Sequence, residues 1–447
     1  MNDITLECKK QVDKEWDSHW ESAKEALEYV ENSTAKYRGE TISTLYMAKL
    51  FPSDVVEKLR RESQIIYGIL VKVTKEFMEN AEYRKLFGFP KKLETLMIKN
   101  PGYSNLIPMA RLDIFLNEED YSYKFCEFNT DGTSAMNEDR ELNHAFQITK
   151  EYKQLLEKYD LQTFELFDSW VKEVKKLYGE WAEDRKEKIE EVPAVAIVDF
   201  LEKGSSIYEF EQFQKSFERA GFRSYICEIR ELSYDGKRLY TKEGKPIDAV
   251  YRRAVTSDIF EHLEETEAFV RAVEDGNVCT IGNFCTQAAH DKTIFYLLHD
   301  DRTKQFLTEE ENHYIREHIP VTAELNREQI KRNYVYQNKD RWLIKPKNHY
   351  GAYGVYAGIH FTKRKWKKIV RKCRKKNYIL QEFIMPYKSY NIDFALEKPE
   401  FKKYTNMTGI YMYGGKMAGL YSRMSSREII SGVYGENVIP TIMISPK

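Results

Sequence analysis

No apolar stretch in the 447 residues approaches the roughly 20 that a membrane-spanning helix needs. Residues Met1–Lys10 also lack the apolar core of a secretory signal. A cytoplasmic protein is expected, neither secreted nor in a membrane. Cysteine is scarce: six residues, no Cys-x-x-Cys pair and no Cys/His cluster at ligand spacing. That argues against a disulfide scaffold or a zinc site. No charge sign dominates, because 70 Lys and Arg face 71 Asp and Glu, a net charge of −1. No global field draws such a chain to nucleic acid or anionic lipid, and neither is expected as a partner. Also missing are a GxxxxGK[ST] string and a nucleophile-elbow serine or cysteine, so Walker-type phosphate binding and a covalent triad find no support. There is no internal repeat and no low-complexity linker.

What is present suits a soluble globular protein: 42% hydrophobic and 32% charged residues. The length is about three times that of a typical domain, so two or three packed units are expected. With 31 Tyr and 24 Phe, the core needs no cofactor to fill it.

The first ninety residues carry a helical pattern, with Trp16, Trp20, Ala23 and Leu27, then Leu59, Ile65, Ile69 and Val73, at three- and four-residue steps. After Pro90 and Pro101-Gly102 the period changes to two. Arg111–Leu116 and Tyr121–Asn129 alternate across the short polar connection Asn117–Asp120, which predicts a hairpin. A long helical stretch is expected from about Asp139 to Glu190, closed by Pro193. Ala194–Val198, Ser224–Ile229 and Ala249–Arg253 read as strands, with a helix over Tyr208–Ala220, so a mainly parallel sheet follows. The last third holds the strand Arg341–Lys345, a glycine loop to Gly354, a basic helix, the strand Tyr378–Ile384 and a hairpin turning at Gly414-Gly415.

Four elements can carry chemistry. In the first hairpin, side chains two apart share a face. Asp113, Glu127 and Asn129 then gather three oxygen donors beside Arg111, a hard set suited to Mg²⁺ with room for nucleotide phosphate. Read alone, the same ribbon is equally an edge hairpin facing solvent. The small-residue turn Thr130–Ser134 leads into a helix, where backbone N–H groups can meet an anion. Second, Lys345 ends a strand before the loop Pro346–Val355, whose glycines can lay N–H groups on phosphates. Third, Gln381-Glu-Phe-Ile384 leaves an apolar strand and could flank adenine and ribose. Fourth, Arg423 on the closing hairpin offers a donor fork matched to phosphate. Each of the last three, alone, also reads as ordinary strand or surface. The run Lys363–Lys376 is an amphipathic helix, with Trp366, Ile369, Val370 and Cys373 inward and a solvated basic face offset by neighbouring acidic stretches.

In order along the chain, Arg111-x-Asp113, Glu127-x-Asn129, Asp248–Arg253, Asp291-Lys292 and Leu343-Ile-Lys345-Pro with its glycine loop resemble the synthetase part of the glutathionylspermidine synthase family. The metal carboxylates precede the glycine loop by over two hundred residues, as in that permuted branch. The resemblance implies an α+β / α/β chain: a circularly permuted ATP-grasp with a pre-ATP-grasp α/β domain and a helical N-terminal region. Its parts would be a helical region 1–100, a segment 101–192 with the metal hairpin, an α/β substrate domain 193–290 and a nucleotide-binding part 291–447. It implies Mg²⁺ on Asp113, Glu127 and Asn129, and ATP phosphates on Lys292 and Lys345 under the loop Gly351–Gly354. Adenine would lie along Gln381, Glu382, Phe383 and Ile384, while Arg111 and Arg423 steady the phosphoryl group and the tetrahedral intermediate. The implied activity is an ATP- and Mg-dependent carboxylate–amine ligase acting through an acylphosphate. The family's amidase domain has no counterpart here, and the segment between Lys292 and Lys345 differs in length. A non-catalytic nucleotide-binding scaffold and a small-molecule kinase of the same fold stay open as alternatives.

Overall fold

The computed structural model describes residues 1–447 apart from 187–191, 202–205, 327, 329–333, 349–352 and 432–434. The ribbon read from the alternating pattern is present. Met109–Leu116 and Tyr123–Asn129 pair antiparallel and form one side of a six-stranded sheet. Phe401–Tyr413 lies against Met109–Leu116, followed by Lys416–Ser425 and Asn437–Ile439, with Lys388–Ile392 pairing the start of Phe401–Tyr413. The turn at Gly414-Gly415 joins the two longest strands, both glycines at positive φ, as a tight two-residue connection requires.

Three other sheets flank this one. Cys279–Ile281, Ala249–Arg252, Ala194–Asp199 and Arg223–Glu228 form, in that order, an all-parallel sheet. Its central strand Ala194–Val198 is fully buried, which explains its uninterrupted apolar run. Thr322–Glu324, Tyr378–Glu382, Trp342–Pro346 and Tyr356–Ala357 form a small antiparallel sheet. It has its own core, in which Trp342, Ile344 and Leu380 pack on Trp366, Val370 and Cys373 of the helix Lys363–Cys373. The fourth sheet places Thr441–Pro446 parallel to Lys49–Pro52 and antiparallel to Tyr159–Gln162.

That fourth sheet corrects two expectations. The N-terminal region is not helical throughout, since Lys49–Pro52 separates the helix Trp16–Asn32 from the helix Ser53–Glu79. Nor does one helix run from Asp139 to Glu190. Helices Met136–Ile148 and Lys150–Leu156 end before the strand Tyr159–Gln162, and a new helix covers Asp168–Asp184. Pairing with a strand almost three hundred residues away overrides the local helical pattern. The helix Ser53–Glu79 buries Val56, Leu59, Ile66, Ile69, Leu70, Val73 and Phe77, whereas Ile65, counted above in the stripe, is 41% exposed.

Candidate functional site

Arg111 and Asp113 sit two apart on one strand, so their side chains leave the same face. Arg111 Nε donates to Asp113 Oδ1 at 2.8 Å and a terminal nitrogen to Oδ2 at 3.1 Å, a two-pronged match of fork to carboxylate. The pair needs room on the neighbouring strand, and Gly409, opposite Asp113, provides it. A Cβ at Gly409 would fall 2.8 Å from Arg111 Cδ and 3.0 Å from Asp113 Oδ1. Asp113 Oδ2 also accepts from Arg423 at 2.9 Å and from Asn129 Nδ2 at 3.1 Å. Arg423 balances its charge between Asp113 and Glu436, 3.0 Å away. Asp113 is fully buried. Its two oxygens are thus filled by guanidinium and amide donors.

Cross-strand from Asp113 lies Glu127, in a different environment. The ladder register slips here, with Asp113 opposite Glu127 but Ile114 opposite Phe125, so Cys126 is an extra residue in a β-bulge. Strict alternation would put Phe125 on the face of Glu127 and Asn129. The bulge re-phases the strand, and Phe125 and Phe128 both enter the core with ring centroids 5.3 Å apart. It also frees the Cys126 carbonyl, which accepts from Lys345 Nζ at 3.0 Å. Lys345 lies 5.1 Å from the ring of Phe295, which stacks on Phe128. Lys292 Nζ is 2.6 Å from Glu127 Oε1.

Burial alone would raise the Glu127 carboxyl, but Lys292 and Lys345 together overcome that and lower it to about 2. Burial lowers the Lys345 ammonium and lifts the Cys126 thiol to about 11. The backbone of Lys292 also donates to the Lys347 carbonyl at 3.0 Å, tying the small sheet to the segment that carries Lys292.

The structure therefore gathers Arg111, Asp113, Glu127, Asn129, Lys292, Lys345 and Arg423 into one constellation, although Arg111 and Arg423 are over three hundred residues apart. The other expected positions lie along the small sheet. Gln381 is buried and its amide donates to Thr322 at 2.9 Å. Glu382 ends the strand and pairs with Arg341 at 3.2 Å. Phe383 and Ile384, both half-buried, begin the crossing from the small sheet to the six-stranded one. Gly354 has φ +74°, and a Cβ there would fall 2.7 Å from the Tyr378 hydroxyl. Gly351 lies outside the described residues.

The turn Thr130–Ser134 is a structural clip. Asp131 pairs with Arg252 at 2.6 Å and accepts from the Thr256 N–H at 2.7 Å, while Arg253 donates to the Thr133 carbonyl. Gly132, at φ +65°, leaves no space for a side chain against Val255. The helix N-terminus that follows does receive an anion, but from within the chain: Met136 and Asn137 N–H donate to Glu209, which also pairs with Arg253. Sequence reading had left that end open to a ligand. It also missed Glu436, Phe295 and the Cys126 carbonyl. Only the last had a signal, the three-residue spacing of Phe125 and Phe128 in an otherwise two-residue pattern.

No known protein family and no curated protein sequence matches this chain. Among solved structures it is similar to a glutathione synthetase-like effector from Globodera pallida in its apo form, with a TM-score of 0.60 and 12% identity. That match covers 94% of this chain and 96% of the other. It also matches a protein named as a gamma-glutamylcysteine synthetase from Methylobacillus flagellatus, at TM-score 0.41 and 11% identity over 89% of each chain. A D-alanyl-alanine synthetase A from Vibrio cholerae matches at TM-score 0.29 and 9% identity, over 57% of this chain and 89% of that one. The latter two share too little geometry to build on. The first defines the fold: mixed α/β with several sheets, similar to ATP-grasp-type synthetases.

Proposed function

We propose that this protein is an ATP-dependent carboxylate–amine ligase similar to glutathionylspermidine synthase, joining a peptide or amino-acid carboxylate to an amine or polyamine. The reading rests on one observation: Lys292 and Lys345, from separate parts of the chain, converge on Glu127 beside the Arg111–Asp113–Arg423 cluster. Attack of a carboxylate on the terminal phosphate of ATP brings two anions together. Two lysines and two arginines in a partly closed cleft offset that repulsion. The carboxylate oxygen bonds to phosphorus as ADP leaves; the amine nitrogen then bonds to the acyl carbon as phosphate leaves and the nitrogen loses a proton.

Glu127 is ionised and keeps a second oxygen beyond Lys292, and Asn129, whose amide donates to Asp113, keeps its carbonyl oxygen. Both fit a Mg²⁺ ion, which when bound would neutralise phosphate charge. Asp113 joins that set only by giving up a guanidinium contact. In this reading Lys292 and Lys345 bind phosphates, Gly354 belongs to the covering loop, and Gln381–Ile384 border the base.

The test is ADP and phosphate release from ATP and Mg²⁺ with pooled peptides and amines. Stimulation by a pool, abolished in Lys345→Ala and Glu127→Ala, is the expected result. No stimulation, or turnover intact in both variants, defeats the reading. A stable phosphorylated product in place of an amide would identify a kinase.

A further inference from the structure

The whole-chain charge balance conceals a segregation. Residues 322–382 contain seventeen Lys and Arg against four Asp and Glu, so this segment carries +13 in a chain whose net charge is −1. The excess concentrates on the helix Lys363–Cys373 and the three basic residues after it. Lys363, Arg364, Lys365, Lys367, Lys368, Arg371, Lys372, Lys375 and Lys376 are all exposed. Among the described residues none of these nine forms an ion pair. The acids that sequence reading expected to offset them are engaged elsewhere: Glu324 with Lys347, Asp340 with Lys339 and Glu382 with Arg341.

Orientation separates this surface from the candidate site. Along Trp342–Pro346, Trp342 and Ile344 face the core shared with Trp366 and Val370. Lys345 points to the opposite face, where it meets Cys126 and Phe295. The basic helix therefore lies on the side of the small sheet turned away from Glu127. It is not placed to guide a nucleotide into the cleft.

The chemistry of the outer face selects among polyanions. It is convex and built mostly of lysine, a mobile point charge, where bidentate phosphate recognition would favour arginine. It presents no groove and no aromatic stacking platform such as single-stranded nucleic acid uses. Residues 363–376 offer no exposed apolar side chain that could insert, because Trp366, Val370 and Cys373 are buried and Ile369 is half-buried. What remains is a raft of unpaired cations able to lie flat on a negative plane. We propose that this helix docks the protein reversibly on an anionic phospholipid surface, by electrostatics alone and without insertion.

The experiment is co-sedimentation of the full chain with phosphatidylcholine vesicles, with and without phosphatidylserine, at low and high salt. Binding is expected only with phosphatidylserine, and high salt should abolish it. Charge reversal at four same-face positions without described contacts (Lys368→Glu, Arg371→Glu, Lys372→Glu, Lys375→Glu) should weaken binding at least about tenfold with an unchanged melting temperature. Should that variant fold poorly, neutralisation of the same four to Gln gives the same readout at smaller size. No binding to phosphatidylserine vesicles, equal binding to neutral vesicles, or undiminished binding by the folded variant overturns the proposal. So does tighter capture of DNA or RNA oligonucleotides by the same face. None of these outcomes depends on whether the protein is a ligase.

Discussion

Asp113 and Glu127 are cross-strand neighbours, yet they are held in opposite ways. Every side chain on Asp113 comes from the six-stranded sheet: Arg111 and Asn129 from the ribbon, Arg423 from the closing hairpin. Glu127 is engaged by Lys292, which lies outside that sheet, and shares its field with Lys345 of the small sheet. One carboxylate is fixed by its own sheet; the other couples separate parts of the molecule. A ligand that needs adjustable cations would work on the second.

The sharpest break of this contrast is Asp113→Ala. Removing the acid leaves two buried guanidiniums uncompensated, and a loss of about 3–5 kcal/mol in chemical denaturation is expected. If stability changes by less than a surface mutation would change it, the cluster is not fixed in this sense. Lys345→Ala should behave oppositely. Its main effect would be on ATP turnover, about 10²–10³-fold in kcat, the scale of losing one preorganised charge-stabilising donor. Stability should shift far less than in Asp113→Ala.

Gly409→Ala probes the room behind the first carboxylate. The added methyl meets Arg111 and Asp113, so about 1–3 kcal/mol of destabilisation is expected from overpacking, read as a lower denaturation midpoint. If the midpoint holds, the pair has slack that its geometry does not suggest.

A smaller effect concerns a third acid, Glu138, in the helix after the ribbon. Burial, then Glu209, raises its carboxyl to about 8. The folded state therefore holds this proton over a range where the unfolded chain has released it. Its contribution is full below the unfolded carboxyl range and is lost as pH rises toward 8. Glu138→Gln should match the parent melting temperature near pH 5 and exceed it at pH 8 or above, by the equivalent of about 1 kcal/mol or more. Parallel melting curves across that range would disprove the assignment.

Much of the site could be read from the residues alone, because its parts are local. Period two placed Arg111 with Asp113 and Glu127 with Asn129, and a lysine after an apolar run marked Lys345. What stayed hidden depended on partners distant in sequence. Glu209 caps the helix at Met136 from over seventy residues away, and nothing around Glu209 announces it. The strand Tyr159–Gln162 is only four residues long, and its pairing with Thr441–Pro446 decides its state. The bulge at Cys126 was visible only as a break in the alternation. Likewise, charge counted over the whole chain averaged away the segregation that the fold concentrates on one helix.

The strand Thr441–Pro446 sits between Lys49–Pro52 and Tyr159–Gln162, touching one in parallel and the other in antiparallel fashion. Those two segments do not pair with each other, so neither can complete its ladder until residues 441–446 have been translated. During biosynthesis both present bare hydrogen-bonding edges, the kind of surface that invites mispairing. A ribosome stalled before that strand would release a chain with two such edges uncovered.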